Sequence, residues 1–277
     1  SGVVESRVVH DYVLGGSGDL AAVLSEGVSW NFDGLPQNRA LVQWLRTYNA
    51  DPLHKRKIRF YGFDVPGSPG NPLARRGVET ALVEVLGYLR RVDDGAAAAF
   101  QTRLASLMSD IRFDPCVPVD GRDYRRMTQA QRDTLTAAIF DLTALLERRE
   151  AQYVEVSSTV DYEWARRAAI GAQQVDGWLR QIPIGWPAPE EFRFLDVACD
   201  LRDRAQADNI EWILQREGPT GKVLVYAHNN HLSTVPLKRS WCAIDGSNPQ
   251  ETGQPYIRQV AGTYLRRRFG ERLVSIG

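Results

Sequence analysis

Apolar residues recur at helical spacing along most of the chain, and strand-like runs appear only toward its two ends. Val8, Val9, Tyr12 and Val13 share one helical face, which Gly15-Gly16 terminates. Residues 19–24 read as a second short helix. Leu41, Val42, Trp44, Leu45 and Tyr48 mark a third, ended before Pro52. Residues 58–64 then alternate as a strand does, and the Pro/Gly cluster over 66–72 is a loop. From about 73 to 217 strand signal is almost absent. Amphipathic stretches at 78–92, 100–111, 129–153, 162–179 and 195–215 follow one another, closed by Gly218-Pro219. A Pro/Trp-rich link over 182–189 interrupts them, either as part of a substrate lid or as packing by Trp186. Past it, Lys222 to Ala227 reads as a strand in which Val223 to Ala227 are near-continuously apolar, the pattern of a strand buried on both faces. A helix over 256–269 and a closing strand over 272–276 complete the pattern, after a long connection over 232–255 that reads as a binding loop or a mobile lid.

This order predicts an α/β fold: a small parallel or mixed central sheet flanked by helices, with a large helical-bundle insertion. The predicted organisation is an α/β core from residues 1–72 and 218–277, with residues 73–217 as a helical, substrate-covering subdomain.

Composition narrows the function classes. The 43% hydrophobic and 25% charged fractions are those of an ordinary globular protein. Lys+Arg and Asp+Glu balance at 34 each, so bulk electrostatics suggest no nucleic-acid partner and no membrane surface. The run Arg266-Arg267-Arg268 suits the last turn of a helix. Cys116, Cys199 and Cys242 are widely spaced, which predicts neither a disulfide framework nor a thiolate zinc site and fits a cytoplasmic setting. No apolar run reaches membrane-spanning length. The oligomeric state is not legible.

The chemistry concentrates in Lys222-Val-Leu-Val-Tyr-Ala-His228-Asn-Asn-His231. Two of the chain's four histidines stand three residues apart where the apolar run turns polar. In open α/β sheets that carboxyl end is where ligands bind, and imidazole is the side chain suited to proton transfer near neutral pH. A capping or packing role is the alternative reading. The spacing is not the i, i+4 of a zinc helix, no Gly-x-Ser-x-Gly elbow is present, and Gly67-Ser-Pro-Gly-Asn lacks the lysine of a phosphate loop. His10 and His54 read as exposed helix and loop residues.

Four segments taken in order resemble the erythromycin esterase family. They are residues 1–13 around Glu5-Ser-Arg7, residues 38–49 around Trp44 and Arg46, the Tyr61-Gly-Phe-Asp64 stretch, and residues 202–212 together with the His228/His231 motif. The resemblance implies hydrolysis of an ester or macrolactone by histidine-activated water, with no metal and no other cofactor, and a small-molecule ester or lactone as partner. It places His228, His231, Glu5 and Arg7 in the catalytic set. In that set the histidines polarise a carbonyl or relay protons, Arg7 stabilises an oxyanion, and Glu5 orients an imidazole or Arg7. Asp64, Gln37, Asn229 and Tyr61 fall to substrate binding. Structural roles compete: Glu5 as a helix-start carboxylate, Arg7 as a surface residue, Asp64 as turn chemistry.

The chain departs from the family's pattern at two points. The family's histidine-bearing loop has no counterpart ahead of Ser1, so the sequence reads as the core of a longer protein or as a member without that base. Gln37 stands where family members carry Glu, and an amide keeps hydrogen bonding but not basicity. A natural-product tailoring enzyme using the same pocket for cyclisation or acyl transfer, and a non-catalytic ligand-binding relative, are therefore alternatives. A role in antibiotic resistance or biosynthesis rests on family analogy alone.

Overall fold

The computed structural model describes residues 1–29, 32–66, 78–108, 124–181, 193–237 and 257–274. Within them the chain forms eleven α-helices: α1 (Arg7–Val13), α2 (Leu20–Gly27), α3 (Pro36–Ala50), α4 (Val78–Val92), α5 (Asp94–Leu104), α6 (Gln129–Arg148), α7 (Glu150–Glu155), α8 (Thr159–Leu179), α9 (Arg193–Glu217), α10 (Asn229–Leu232) and α11 (Ala261–Phe269). They divide into two compact units, Ser1–Asp176 and Gly177–Gly277.

In the first unit α1, α2 and α3 pack around Val9, Tyr12, Val13, Leu20, Val23, Leu24, Val42 and Leu45. Asp19 caps α2 by accepting from the Ala21 and Ala22 amides, satisfying donors that a helix start leaves unpaired. Gly15 takes φ +108°, the left-handed conformation that lets the chain leave α1. Pro36 occupies the first turn of α3, where no amide donor is needed. The helical pair α4 and α5 packs next to α6 and α7, with Leu82, Val85 and Leu89 of α4 and Leu135, Ile139 and Leu142 of α6 wholly buried. Thr128 and Gln131 close a capping box at the start of α6. In the second unit α11 lies against α9 and α10, and Arg268 ties α11 to Asp208 and Glu211 of α9.

The predicted α/β sheet is not what the structure contains. Among the described residues there is no sheet, only two isolated bridges: Gly2 with Asp64 in parallel, and Leu237 with Arg258 in antiparallel sense. Residues 222–227 keep a period-two alternation, with Lys222, Leu224 and Tyr226 exposed and Val223, Val225 and Ala227 half-buried. They are not buried on both faces: Leu224 is 92% and Tyr226 87% exposed. Their amides and carbonyls form no hydrogen bond among the described residues. Periodicity reports how side chains alternate along one segment, whereas a sheet also needs a second backbone to pair with. Of the predicted closing strand, Arg272 ends a 3₁₀ turn over Gly270–Arg272 and Val274 is exposed, while residues 275–276 lie outside the described residues.

The loop over 67–72, the link over 182–189 with Trp186, and most of the 232–255 connection lie outside the described residues. Cys199 on α9 is disulfide-bonded, which the cysteine spacing did not predict. Cys116 and Cys242 are outside the described residues. No helix among the described residues is long and apolar enough to cross a membrane.

Candidate functional site

The second unit builds its site on the buried face of α9. Asp203, Gln206 and Asn209 recur every three residues there and are buried beside Ala207, Ile210 and Ile213. A carboxylate with no exposed surface must be matched by donors, since an unmatched buried charge is prohibitively costly. Asp203 is matched on both oxygens. Oδ1 accepts from His231 Nδ1 at 2.6 Å and from the Ala261 amide at 3.2 Å, while Oδ2 accepts a close hydrogen bond from Arg258 Nη2. The Ala261 amide is available because it belongs to the first turn of α11, where amides lack intrahelical acceptors. Thr263 Oγ1 takes up the neighbouring Val260 amide at 2.9 Å.

His231 reaches Asp203 because α10 and α11 approach closely. A Cβ on Gly262 would lie 2.4 Å from the carbonyl oxygens of Leu232 and Ser233, so only glycine fits where α11 crosses the end of α10. The single turn of α10 starts at His228, whose Nδ1 accepts from the Asn230 amide at 3.1 Å. His231 N–H in turn donates to the His228 carbonyl at 2.8 Å.

These contacts give the two imidazoles opposite tautomers. Asp203, as a carboxylate, only accepts, so His231 carries its proton on Nδ1 and presents a lone pair on Nε2. His228 accepts at Nδ1, so in its neutral form the proton sits on Nε2. One ring is a base and the other a donor. The His231 side chain is 20% exposed, and His228 and Asn229 are exposed.

The first unit holds the remaining predicted site residues in a tighter setting. Arg7 donates from Nη1 to Glu84 Oε1 at 2.9 Å and from Nη2 to Asp161 Oδ1 at 2.7 Å, with Asp11 Oδ2 3.7 Å from Nε. Its guanidinium also lies 5.6 Å from the Trp164 ring centroid. Burial alone would raise the Asp161 carboxyl, but hydrogen bonds from Arg7 and Ser158 and the Arg7 charge outweigh it and hold the group below the usual carboxylate range. Glu5 is half-buried with its carboxylate over the Gly2 backbone, where a Cβ would lie 2.2 Å from Oε2. Asp64 is buried and fixed by its backbone, which donates to the Ser1 carbonyl and accepts from the Val3 amide, while its Oδ1 accepts from Val65 N–H. Gln37 is exposed on the first turn of α3.

Tyr61 packs with His10, their ring centroids 4.8 Å apart. His10 is not the exposed helix residue its place in the sequence suggested. It is 5% exposed, its Nδ1 lies 3.0 Å from the Phe60 carbonyl oxygen, and Trp164 meets it edge-on. His54 stacks on Tyr48 at 3.7 Å.

The structure thus gathers His228, Asn229 and His231 into one turn of the second unit, and sets Glu5, Arg7, Tyr61 and Asp64 about the N-terminal segment of the first. Sequence reasoning missed Asp203 and Arg258. Asp203 lies inside the 202–212 segment that carries part of the resemblance. The usable signal was a series of polar residues at core positions of an amphipathic helix.

The erythromycin esterase family pattern matches residues 1–277. An erythromycin esterase type II from Escherichia coli is 25% identical over 204 residues, 70% of this chain and 43% of that protein. A Bacillus cereus protein of known structure superposes with a TM-score of 0.66 at 21% identity, covering 98% of this chain and 54% of its own. A histidine-to-asparagine variant of the erythromycin esterase EreC, in its open conformation, gives 0.60 at 16% identity, covering 96% and 57%. A succinoglycan biosynthesis protein gives 0.59 at 21%, covering 97% and 53%. The chain therefore spans about half the length of the relatives it matches. With the family pattern covering every residue, this chain belongs to the erythromycin esterase family.

Proposed function

We propose that the chain hydrolyses a carboxylic ester or lactone with water activated at His231. The hydrogen bond from His231 Nδ1 to buried Asp203 carries this reading, because it leaves Nε2 as the acceptor for a proton from water. The Nε2–H of His228 suits the carbonyl oxygen, which gains negative charge as water adds. His231, now protonated, returns its proton to the departing alkoxide, so ester and water become acid and alcohol. Asn229, in the same turn, is the nearest predicted substrate contact. Arg7 is assigned to holding α1 against α4 and α8, since Nη1 and Nη2 each donate to a carboxylate of another helix, Glu84 and Asp161. Family membership supports a small-molecule ester substrate, and the choice of ester belongs to this proposal.

The test is a panel of macrolactones and activated esters with the full chain in ¹⁸O-labelled water. Label is expected in the product carboxylate. His231→Ala and His228→Ala are each expected to lower turnover at least ~100-fold, the scale of an acid–base or oxyanion group. Full rates in both variants would assign the pair to structure. Binding without turnover across the panel would favour the ligand-binding alternative.

A further inference from the structure

We propose that Arg258 is a positioning residue that fixes the working tautomer of His231 through Asp203. This builds on the reading of His231 as the base and adds what holds that base in order. The Asp203 side chain is fully buried and the Arg258 side chain is 4% exposed, so water does not orient either group. The two carboxylate oxygens have separate tasks: Oδ2 accepts from Arg258, while Oδ1 is left for His231 and the Ala261 amide. Arg258 therefore does two things. Its charge balances a carboxylate that has no solvent, and its Nη2 donor engages Oδ2, which keeps Oδ1 turned toward His231. A carboxylate turned out of reach of Nδ1 would take away the acceptor that holds the proton there, so the tautomer of the ring depends on that contact being kept.

The position of Arg258 is itself fixed from the backbone. Its amide donates to the Leu237 carbonyl at 2.9 Å, and its carbonyl accepts from the Leu237 amide at 3.0 Å. This bridge uses no side-chain atom and survives any non-proline substitution at 258. A change in the side chain thus removes the guanidinium and leaves its anchor. Without the guanidinium, the amide and the imidazole on Oδ1 are the contacts among the described residues that still hold the carboxylate.

The test reads the tautomer directly. In ¹⁵N-histidine-labelled full chain above the imidazole titration range, wild-type His231 is expected to show one tautomer, Nδ1–H, with His231→Ala supplying the assignment. R258K keeps the charge but replaces the fixed Nη2 donor with a flexible ammonium, and a second, Nε2–H population is expected to become measurable. R258Q lacks both, and that population is expected to be larger. The turnover number is expected to fall in the same order, by about ten- to a hundredfold in R258Q, the scale for outer partners of a functional histidine, with KM little changed. A pure Nδ1–H tautomer in both variants overturns the proposal. If R258Q does not fold, R258K decides alone: a second tautomer supports the role and an unchanged spectrum overturns it. A wild-type protein without esterase turnover, but with the tautomer order intact, sinks the hydrolysis reading and leaves the positioning role standing.

Discussion

Two arginine–carboxylate clusters, one in each unit, use the same chemistry to opposite ends. In the first unit the cation is central: Arg7 faces Glu84 and Asp161, whose side chains are 38% and 39% exposed. In the second unit the anion is central and wholly buried: Asp203 faces Arg258 and His231. The Arg7 cluster directs two donors to carboxylates on other helices and ties three helices together. The Asp203 cluster ends on an imidazole whose second nitrogen is left for something else. In the proposed reading the first cluster supports the fold, and the second, with a basic nitrogen open, supports a reaction. That difference separates two groups of residues which the sequence had placed in a single catalytic set.

The largest effect that tests the contrast is on stability. Asp203→Ala removes the buried carboxylate that faces both Arg258 and His231 and is expected to destabilise the second unit by about 3–5 kcal/mol. Asp161→Ala removes a solvent-screened partner and is expected to cost about 1 kcal/mol or less. Urea denaturation of both variants checks the pair, and equal losses would erase the distinction. Arg7→Ala comes next: a loss of about 1 kcal/mol with turnover unchanged. A specific fall in turnover with an unaltered urea midpoint would return Arg7 to the catalytic set.

Two smaller effects follow from titration in the first unit. Asp161 titrates below the ordinary carboxylate range when folded, so the unfolded chain binds its proton first as pH falls. The stabilisation from Asp161 is present above the usual aspartate value of about 3.9 and is lost as pH drops through the folded value. Asp161→Asn is therefore expected to flatten the acid limb of a stability–pH curve. At the other end, burial and then the hydrogen bond to Asp93 push Tyr153 up to about 12. Its hydroxyl donates to Asp93 Oδ2 at 2.7 Å. The folded protein keeps that proton after the unfolded chain has lost it, so stability falls as pH rises from about 10 toward the folded value. Tyr153→Phe is expected to remove this alkaline slope, and a slope that persists would assign it elsewhere.

The helices were legible and the sheet was not, for one physical reason. Helix formation is local, and the apolar spacing over residues 78–92 and the Gly218-Pro219 stop needed no knowledge of partners; α4 and the end of α9 follow them. Strand pairing depends on a distant backbone. Residues 222–227 show the alternation and still form no ladder among the described residues. The candidate site divides the same way. His228 and His231 stood out because they are neighbours in sequence. Asp203 and Arg258 sit 28 residues before and 27 after His231, and only the packing of α9, α10 and α11 relates them. His10 was misjudged for a similar reason, since the Tyr61 and Trp164 rings that enclose it come from far along the chain.

The most direct test of the central claim is a double-mutant cycle on ester turnover with Asp203→Asn and His231→Ala. If Asp203 acts only by orienting His231, each single variant slows hydrolysis and the double variant is no slower than His231→Ala alone, a strongly non-additive result. Losses that multiply would mean that the two residues act independently, and the account of Asp203 as the group that makes His231 a base would be wrong.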